Sequence, residues 1–177
     1  MIKKILTVKD PVLRLKSKDI KSFDKKIFTL IKDLKETLAI QKDPIGVGLA
    51  APQIGKNLRI FAIKPKNNIK IIVNPKVASV SKHYKDTQEA LEEDHKLMEG
   101  CLSLPNLYGP LKRPDSVKIN YLDESGEKKT SLFEGFEAQI IQHEIDHLNG
   151  VLFIDRLLEQ KKPLYELVNG EWERVEI

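Results

Sequence analysis

Phe136-Glu137-Ala138-Gln139-Ile140-Ile141-Gln142-His143-Glu144-Ile145-Asp146-His147-Leu148-Asn149-Gly150 is the stretch on which the reading of the chain turns. Phe136, Ile140, His143 and His147 recur at helical spacing along one stripe. Ile141, Ile145 and Leu148 form a second, and Asn149-Gly150 ends the pattern with a stop signal. A helix that is apolar on two sides belongs in an interior, so this segment is expected to run through the core. His143 and His147, four residues apart, then project from one face, close enough to hold a single metal ion. Glu144 lies about 100° round the helix from His143, where it reaches a water on that ion without ligating the ion itself.

Two imidazoles leave the site incomplete, because a catalytic zinc-type centre takes three ligands from the protein and keeps a position for water. The run imitates a metzincin as far as Gly150, but the third histidine of that motif falls on Phe153, which cannot bind a metal. A thermolysin-like centre would draw on a downstream carboxylate, and Glu166 is roughly placed for it, among strand-like residues. Cys101, the sole cysteine, is the other strong candidate. It stands in Met98-Glu99-Gly100-Cys101-Leu102-Ser103-Leu104-Pro105, where Gly100 and Pro105 mark a sharply shaped segment rather than a helix.

The 177 residues suffice for one domain, spanning 1–177, with a proper core and no staples. A single cysteine excludes an internal disulfide and fits a reducing compartment. The net charge of +4 is the balance of 30 basic and 26 acidic side chains, which describes a mixed surface rather than one basic face. No specific nucleic-acid partner is expected. The opening Met1-Ile2-Lys3-Lys4-Ile5-Leu6-Thr7-Val8 is interrupted by Asp10-Pro11 before a signal-peptide core could form, and no apolar run approaches membrane-spanning length. The expectation is a soluble, cytoplasmic protein with no membrane partner.

Asp24 is a good N-cap, and Ile27, Leu30, Ile31, Leu34 and Leu38 predict an amphipathic helix that ends before Asp43-Pro44. In Gly46-Val47-Gly48-Leu49-Ala50-Ala51-Pro52-Gln53-Ile54-Gly55 the small residues imply a close approach to the backbone. A phosphate loop is excluded, because no Lys-Ser/Thr follows the glycines, and a turn packed on the core is the alternative. Strands are expected at 58–63, at 69–73 stopped by Asn74-Pro75, and at 76–80. Residues 81–98 read as a loop or a short exposed helix with His83 and His95 solvated. Two hairpins are expected, one around Asp123-Glu124-Ser125-Gly126 and one around Asn169-Gly170.

Taken together and in order, Gly46-Val47-Gly48-Leu49-Ala50-Ala51-Pro52-Gln53, Glu99-Gly100-Cys101-Leu102-Ser103 and Gln142-His143-Glu144-Ile145-Asp146-His147 resemble the three motifs of the peptide deformylases, and the likeness runs from Ile5 to Arg156. The resemblance implies an α+β fold, with mixed, largely antiparallel sheets packed around the central helix, in a monomer. It makes Cys101, His143 and His147 the metal ligands and Glu144 the acid/base, and it assigns the Gln53 amide and the Leu102 N–H to the developing oxyanion. Gly48 and Gly100 fall in the groove for the peptide backbone. The implied reaction removes the formyl group from N-formylmethionyl nascent peptides and releases formate.

Two imidazoles and a thiolate suit Fe(II) or Zn(II) without choosing between them. The resemblance favours Fe2+, with Zn2+, Ni2+ or Co2+ as alternatives in purified protein. Phe136, Ile140 and Val47 are expected to form an apolar wall for the methionine side chain. Glu99 is assigned to the same substrate region, and its pairing with Arg113 would shape the Cys101 segment. Asp146 is expected to hold local geometry. Unlike members whose last helix docks on the ribosome, this chain ends in residues that read as a hairpin, which weakens the ribosome as a partner by that route. The rival readings are a peptidase that uses Glu166, and a non-catalytic metal-binding homologue.

Overall fold

The computed structural model describes residues 1–42, 45–66, 68–85 and 98–176. In chain order the elements are α1 (Lys25–Ala39), β1 (Gly48–Ala50), β2 (Ile60–Ile63), β3 (Lys70–Val80), β4 (Tyr84–Lys85), β5 (Glu99–Cys101), β6 (Leu104–Gly109), β7 (Arg113–Pro114), β8 (Ser116–Leu122), β9 (Lys128–Glu134), α2 (Gly135–Leu148), α3 (Phe153–Glu159), β10 (Leu164–Val168) and β11 (Glu171–Val175). Among the described residues every pairing between these strands is antiparallel, and one isolated parallel bridge joins Lys18 to Leu58. A five-stranded sheet has the order β1-β2-β3-β8-β9, a four-stranded sheet the order β11-β10-β6-β5, and β4 pairs with β7. The fold is α+β.

The Ile60-Phe61-Ala62-Ile63 run shows how the first sheet is held. All four residues are buried, because helices cover both faces. Ile60 and Ala62 pack with Leu30, Leu34 and Leu38 of α1, whereas Phe61 and Ile63 pack with Ile140, Ile141 and Ile145 of α2. Burying side chains of this size contributes about 1.5–3 kcal/mol each. α1 starts where expected: Asp24 Oδ1 accepts the N–H groups of Lys26 (2.9 Å) and Ile27 (3.0 Å). A third apolar cluster joins Leu104, Leu111, Phe153, Leu157 and Leu164 between the four-stranded sheet and α3.

Several sequence expectations are corrected. Asn74-Pro75 does not stop a strand, and β3 runs through it with a shift of register between Val73 and Lys76. Asn74 takes a left-handed φ of 48°, and its amide accepts from the N–H of Ile20 (2.8 Å) and donates to its C=O (2.7 Å). A contact from far along the chain thus stabilises the bulge, and Pro75 has no N–H to waste there. The small-residue stretch is not only a turn: Gly48–Ala50 form an edge strand, followed by the 3-10 turn Ala51–Ile54. Glu99–Cys101 and Leu104–Gly109 are strands as well, and Phe153–Glu159 is a helix.

Of the connection at 81–98, residues 86–97, including His95, lie outside the described residues. Tyr84–Lys85 form a strand, and His83 is exposed. The two expected hairpins are present as β8–β9 and β10–β11. Among the described residues no helix is long and apolar enough to cross a membrane.

Candidate metal centre

α2 brings His143 and His147 to one face one turn apart, with ring centroids 4.8 Å from each other. β5 supplies the third group. A register shift between Gly100 and Cys101 sets Cys101 opposite Leu104 and closes the Leu102-Ser103 turn, so the thiol points at α2 rather than along the sheet. Cys101 Sγ lies 3.2 Å from His147 Nε2, and the donor atoms of Cys101, His143 and His147 all lie within 4.8 Å of one another in buried positions. Glu166, the rival ligand, is exposed on β10 opposite Leu107 and Glu173 and is not part of this cluster.

The cluster has a polar frame. Arg113 donates through Nε and Nη2 to the two oxygens of Glu99, both at 2.7 Å, and through Nη1 to Asp146 at 3.0 Å. Arg156 closes the other side of Asp146 at 2.8 Å, which gives Asp146 the geometry-holding contacts expected of it. Burial alone would raise the Glu99 pKa, but the Arg113 charge outweighs it and holds the carboxyl well below its usual range. An ionised carboxylate only accepts, so the 2.6 Å contact from His143 Nδ1 to Glu99 Oε1 places a hydrogen on Nδ1 and leaves Nε2 as the nitrogen that a cation could bind in exchange for its proton. Burial also works against a charge on His143, and the neighbouring Glu99 overrides it and holds that pKa well above the ordinary value. Burial and the His143 charge drive His147 well below it.

Glu144 is 3% exposed, and among the described residues its Oε2 has no hydrogen-bond partner. Burial pushes its pKa up to about 7. The glycine at 48 explains how the carboxyl fits: a Cβ there would collide with Glu144 Oε1 and lie 2.8 Å from its Cδ. At Gly100 a Cβ would lie 2.6 Å from ring carbons of Tyr108, so this glycine lets β5 and β6 close on each other. Gln53 is 1% exposed. Its Oε1 accepts the Ala50 N–H at 2.8 Å, and its Nε2 faces Ser103 Oγ at 3.1 Å and Cys101 Sγ at 3.6 Å.

All of this opens into a cavity of about 580 Å3. Val47, Gly48, Gly100, Leu102, Phe136 and Ile140 line it. Ile140 is buried in the wall, whereas Phe136 is 46% exposed at the rim. Glu99 reaches the cavity too, but its oxygens are engaged by Arg113 and His143, so it positions a ligand rather than meeting a substrate directly. Sequence reasoning missed Gln139, Lys42 and the role of Ser103. Gln139 sits three residues after Phe136 and four before His143, a spacing that could have placed it on the cavity wall.

The donor set fits a divalent cation. Tetrahedral coordination at Zn–N of ~2.0 Å and Zn–S of ~2.3 Å sets neighbouring ligand atoms ~3.3–3.6 Å apart, close to the Cys101–His147 separation. The unpartnered Glu144 Oε2 beside the cluster suits a water held there. Antiparallel α+β layers with one cysteine sulfur, two imidazoles and a buried acid at the foot of a cleft define an enzyme of the metal-dependent hydrolase class. The polypeptide deformylase family model matches residues 2–163, and the chain belongs to this family. It is 40% identical over 176 residues to the peptide deformylase of Pseudothermotoga lettingae, covering 95% of this chain and 93% of that one, and 38% identical over 177 residues to that of Desulfotalea psychrophila, covering 97% and 96%. The crystal structure of the Thermotoga maritima peptide deformylase matches with a TM-score of 0.77 at 34% identity, covering 88% of this chain and 97% of that one.

Proposed function

We propose that this chain is a single catalytic domain that hydrolyses the formamide of N-formylmethionyl nascent peptides and releases formate, acting in the cytoplasm as a monomer with Fe2+ held by Cys101, His143 and His147. The carrying observation is Glu144: a buried carboxyl with one oxygen unpartnered, beside a three-donor cluster, at the foot of a cavity large enough for a methionine side chain. A divalent ion in that cluster supplies a Lewis acid and a water acidic enough to react at neutral pH.

The chain's own groups supply the rest. Glu144, with a pKa near neutrality, takes a proton from the attacking water and returns it to the departing methionine nitrogen, a role worth about 10²–10⁴ in rate. The Leu102 N–H and the Gln53 Nε2 hydrogen that faces Cys101 at a long 3.6 Å are the donors for the negative oxygen, each worth about 10²–10³. Gln53 donates without titrating, and its Oε1 bond to Ala50 keeps the NH2 side turned to the cluster. Phe136, Ile140 and Val47 give the methionine side chain an apolar wall. The peptidase reading loses its ligand, since Glu166 is exposed on β10.

The test is formate release from formyl-Met-Ala-Ser by anaerobically purified, iron-loaded protein. Wild type should release formate and Glu144→Ala should not. Metal-replete wild type that is inert would overturn the reading.

A further inference from the structure

We propose that Lys42 gives this enzyme a preference for substrates with an acidic side chain at the second or third residue after the formyl group. The inference rests on the deformylase reading above and adds a specificity determinant to it.

The geometry starts from two sheet edges that are free among the described residues. β1 is the outer strand of the five-stranded sheet, and β5 is the outer strand of the four-stranded one. Both border the same cavity, β1 through Gly48 and β5 through Glu99, Gly100 and Cys101. Unpaired edges take an extended peptide as an added strand. β1 leads directly into the turn that carries Gln53, so the catalytic end of the groove lies at the C-terminal end of β1. A substrate whose formyl group is held there must leave past Gly48, Val47, Gly46 and Ile45, toward Lys42.

Lys42 stands at that far end. An antiparallel bridge pairs it with Ile45, and both residues line the cavity while being exposed. The other ionisable groups in the lining are Glu99, Cys101, His143, Glu144 and Tyr108. The first four are buried at the foot, and Tyr108 is half-buried beside Gly100. Among the described residues no carboxylate pairs with Lys42, and Lys42 is the exposed charged side chain that they place at this mouth. Successive residues of an extended peptide are ~3.3 Å apart, which brings the second or third residue, rather than the methionine, to the mouth.

The experiment compares kcat/KM for three amidated peptides, formyl-Met-Asp-Asp-amide, formyl-Met-Ala-Ala-amide and formyl-Met-Lys-Lys-amide, with the iron-loaded protein. The amide removes the terminal carboxylate that would otherwise compete for Lys42. Wild type should favour the Asp over the Lys peptide by about tenfold at low salt, the order expected for opposite contributions of one exposed charge, and the ratio should shrink at about 0.5 M salt. Lys42→Gln should bring the ratio near unity and Lys42→Glu should invert it, while Lys26→Gln, on exposed α1 surface, should leave it as in wild type. A ratio unaffected by residue 42 would overturn the proposal, even with formate released from all three peptides. Formate from none of them would overturn the deformylase reading and the proposal with it.

Discussion

Glu99 Oε1 lies 2.6 Å from His143 Nδ1, while the same carboxylate takes both arms of the Arg113 guanidinium at 2.7 Å. The ring orientation of one of the three candidate metal ligands is therefore set from β5, in the four-stranded sheet. Arg113 in turn holds Asp146 on the helix that carries both histidines. The pair ties β5 and β7 to α2 across the cluster.

Arg113→Gln should expose what this frame contributes. It leaves Glu99 buried with a weaker partner, so unfolding stability should fall by about 3–5 kcal/mol in urea titrations. Affinity for the metal should fall by about 10–100-fold in chelator competition, because the Glu99–His143 contact loosens. A variant as stable as wild type and with wild-type metal affinity would show that the fork is ornamental.

Gly48→Ala is a steric test of Glu144. The added methyl would displace the carboxyl it collides with and leave the metal ligands in place. The expected result is a folded protein with normal metal content and kcat reduced by about 10²-fold, within the range of losing acid/base catalysis. Unchanged kcat would mean that Glu144 does not act from the position seen here.

Cys101→Ser and Glu166→Ala separate the two ligand sets. The first replaces the sulfur with a hydroxyl, a much poorer ligand for a soft or borderline cation, and should abolish tight metal binding and activity. The second removes an exposed side chain on β10 and should change stability by no more than about 0.5 kcal/mol, with metal content as in wild type. Metal analysis of the two purified proteins decides the matter, and the opposite pattern would restore the peptidase reading.

α2 was legible because two apolar stripes, a histidine pair at four-residue spacing and an Asn-Gly stop all act within one local segment. The β8–β9 and β10–β11 hairpins were legible for the same reason, their turns being written in adjacent residues. β3 was not. Asn74-Pro75 looks like a terminator until Ile20, more than fifty residues away, bonds both ends of the Asn74 amide. β1 spans three residues, too few for any period to register, although its glycine was noticed. The cavity contacts of Gln139 and Lys42, and the grip of Ser103 on Gln53, arise only when separate segments meet.

Asp33 offers a pH-dependent test away from the cluster. It is 6% exposed on α1, and it accepts from the Met1 ammonium at 2.7 Å and from Lys3 Nζ at 3.2 Å. Burial would raise its pKa, but the two ammonium groups outweigh burial, and the folded value lies below the ordinary one. A depressed carboxyl stabilises the fold fully at pH well above its unfolded value of ~3.9, and that contribution is lost as pH falls through the lower folded value. Asp33→Asn should therefore cost of order 1 kcal/mol near neutral pH, a modest figure because the Met1 ammonium is largely and Lys3 partly exposed, and the gap from wild type should close on acidification. Urea titrations of both proteins at a series of pH values, with any purification tag kept off the N-terminus, measure it. A gap that stays constant, or widens as pH falls, would show that the charge on Asp33 is not what holds the N-terminal segment to α1.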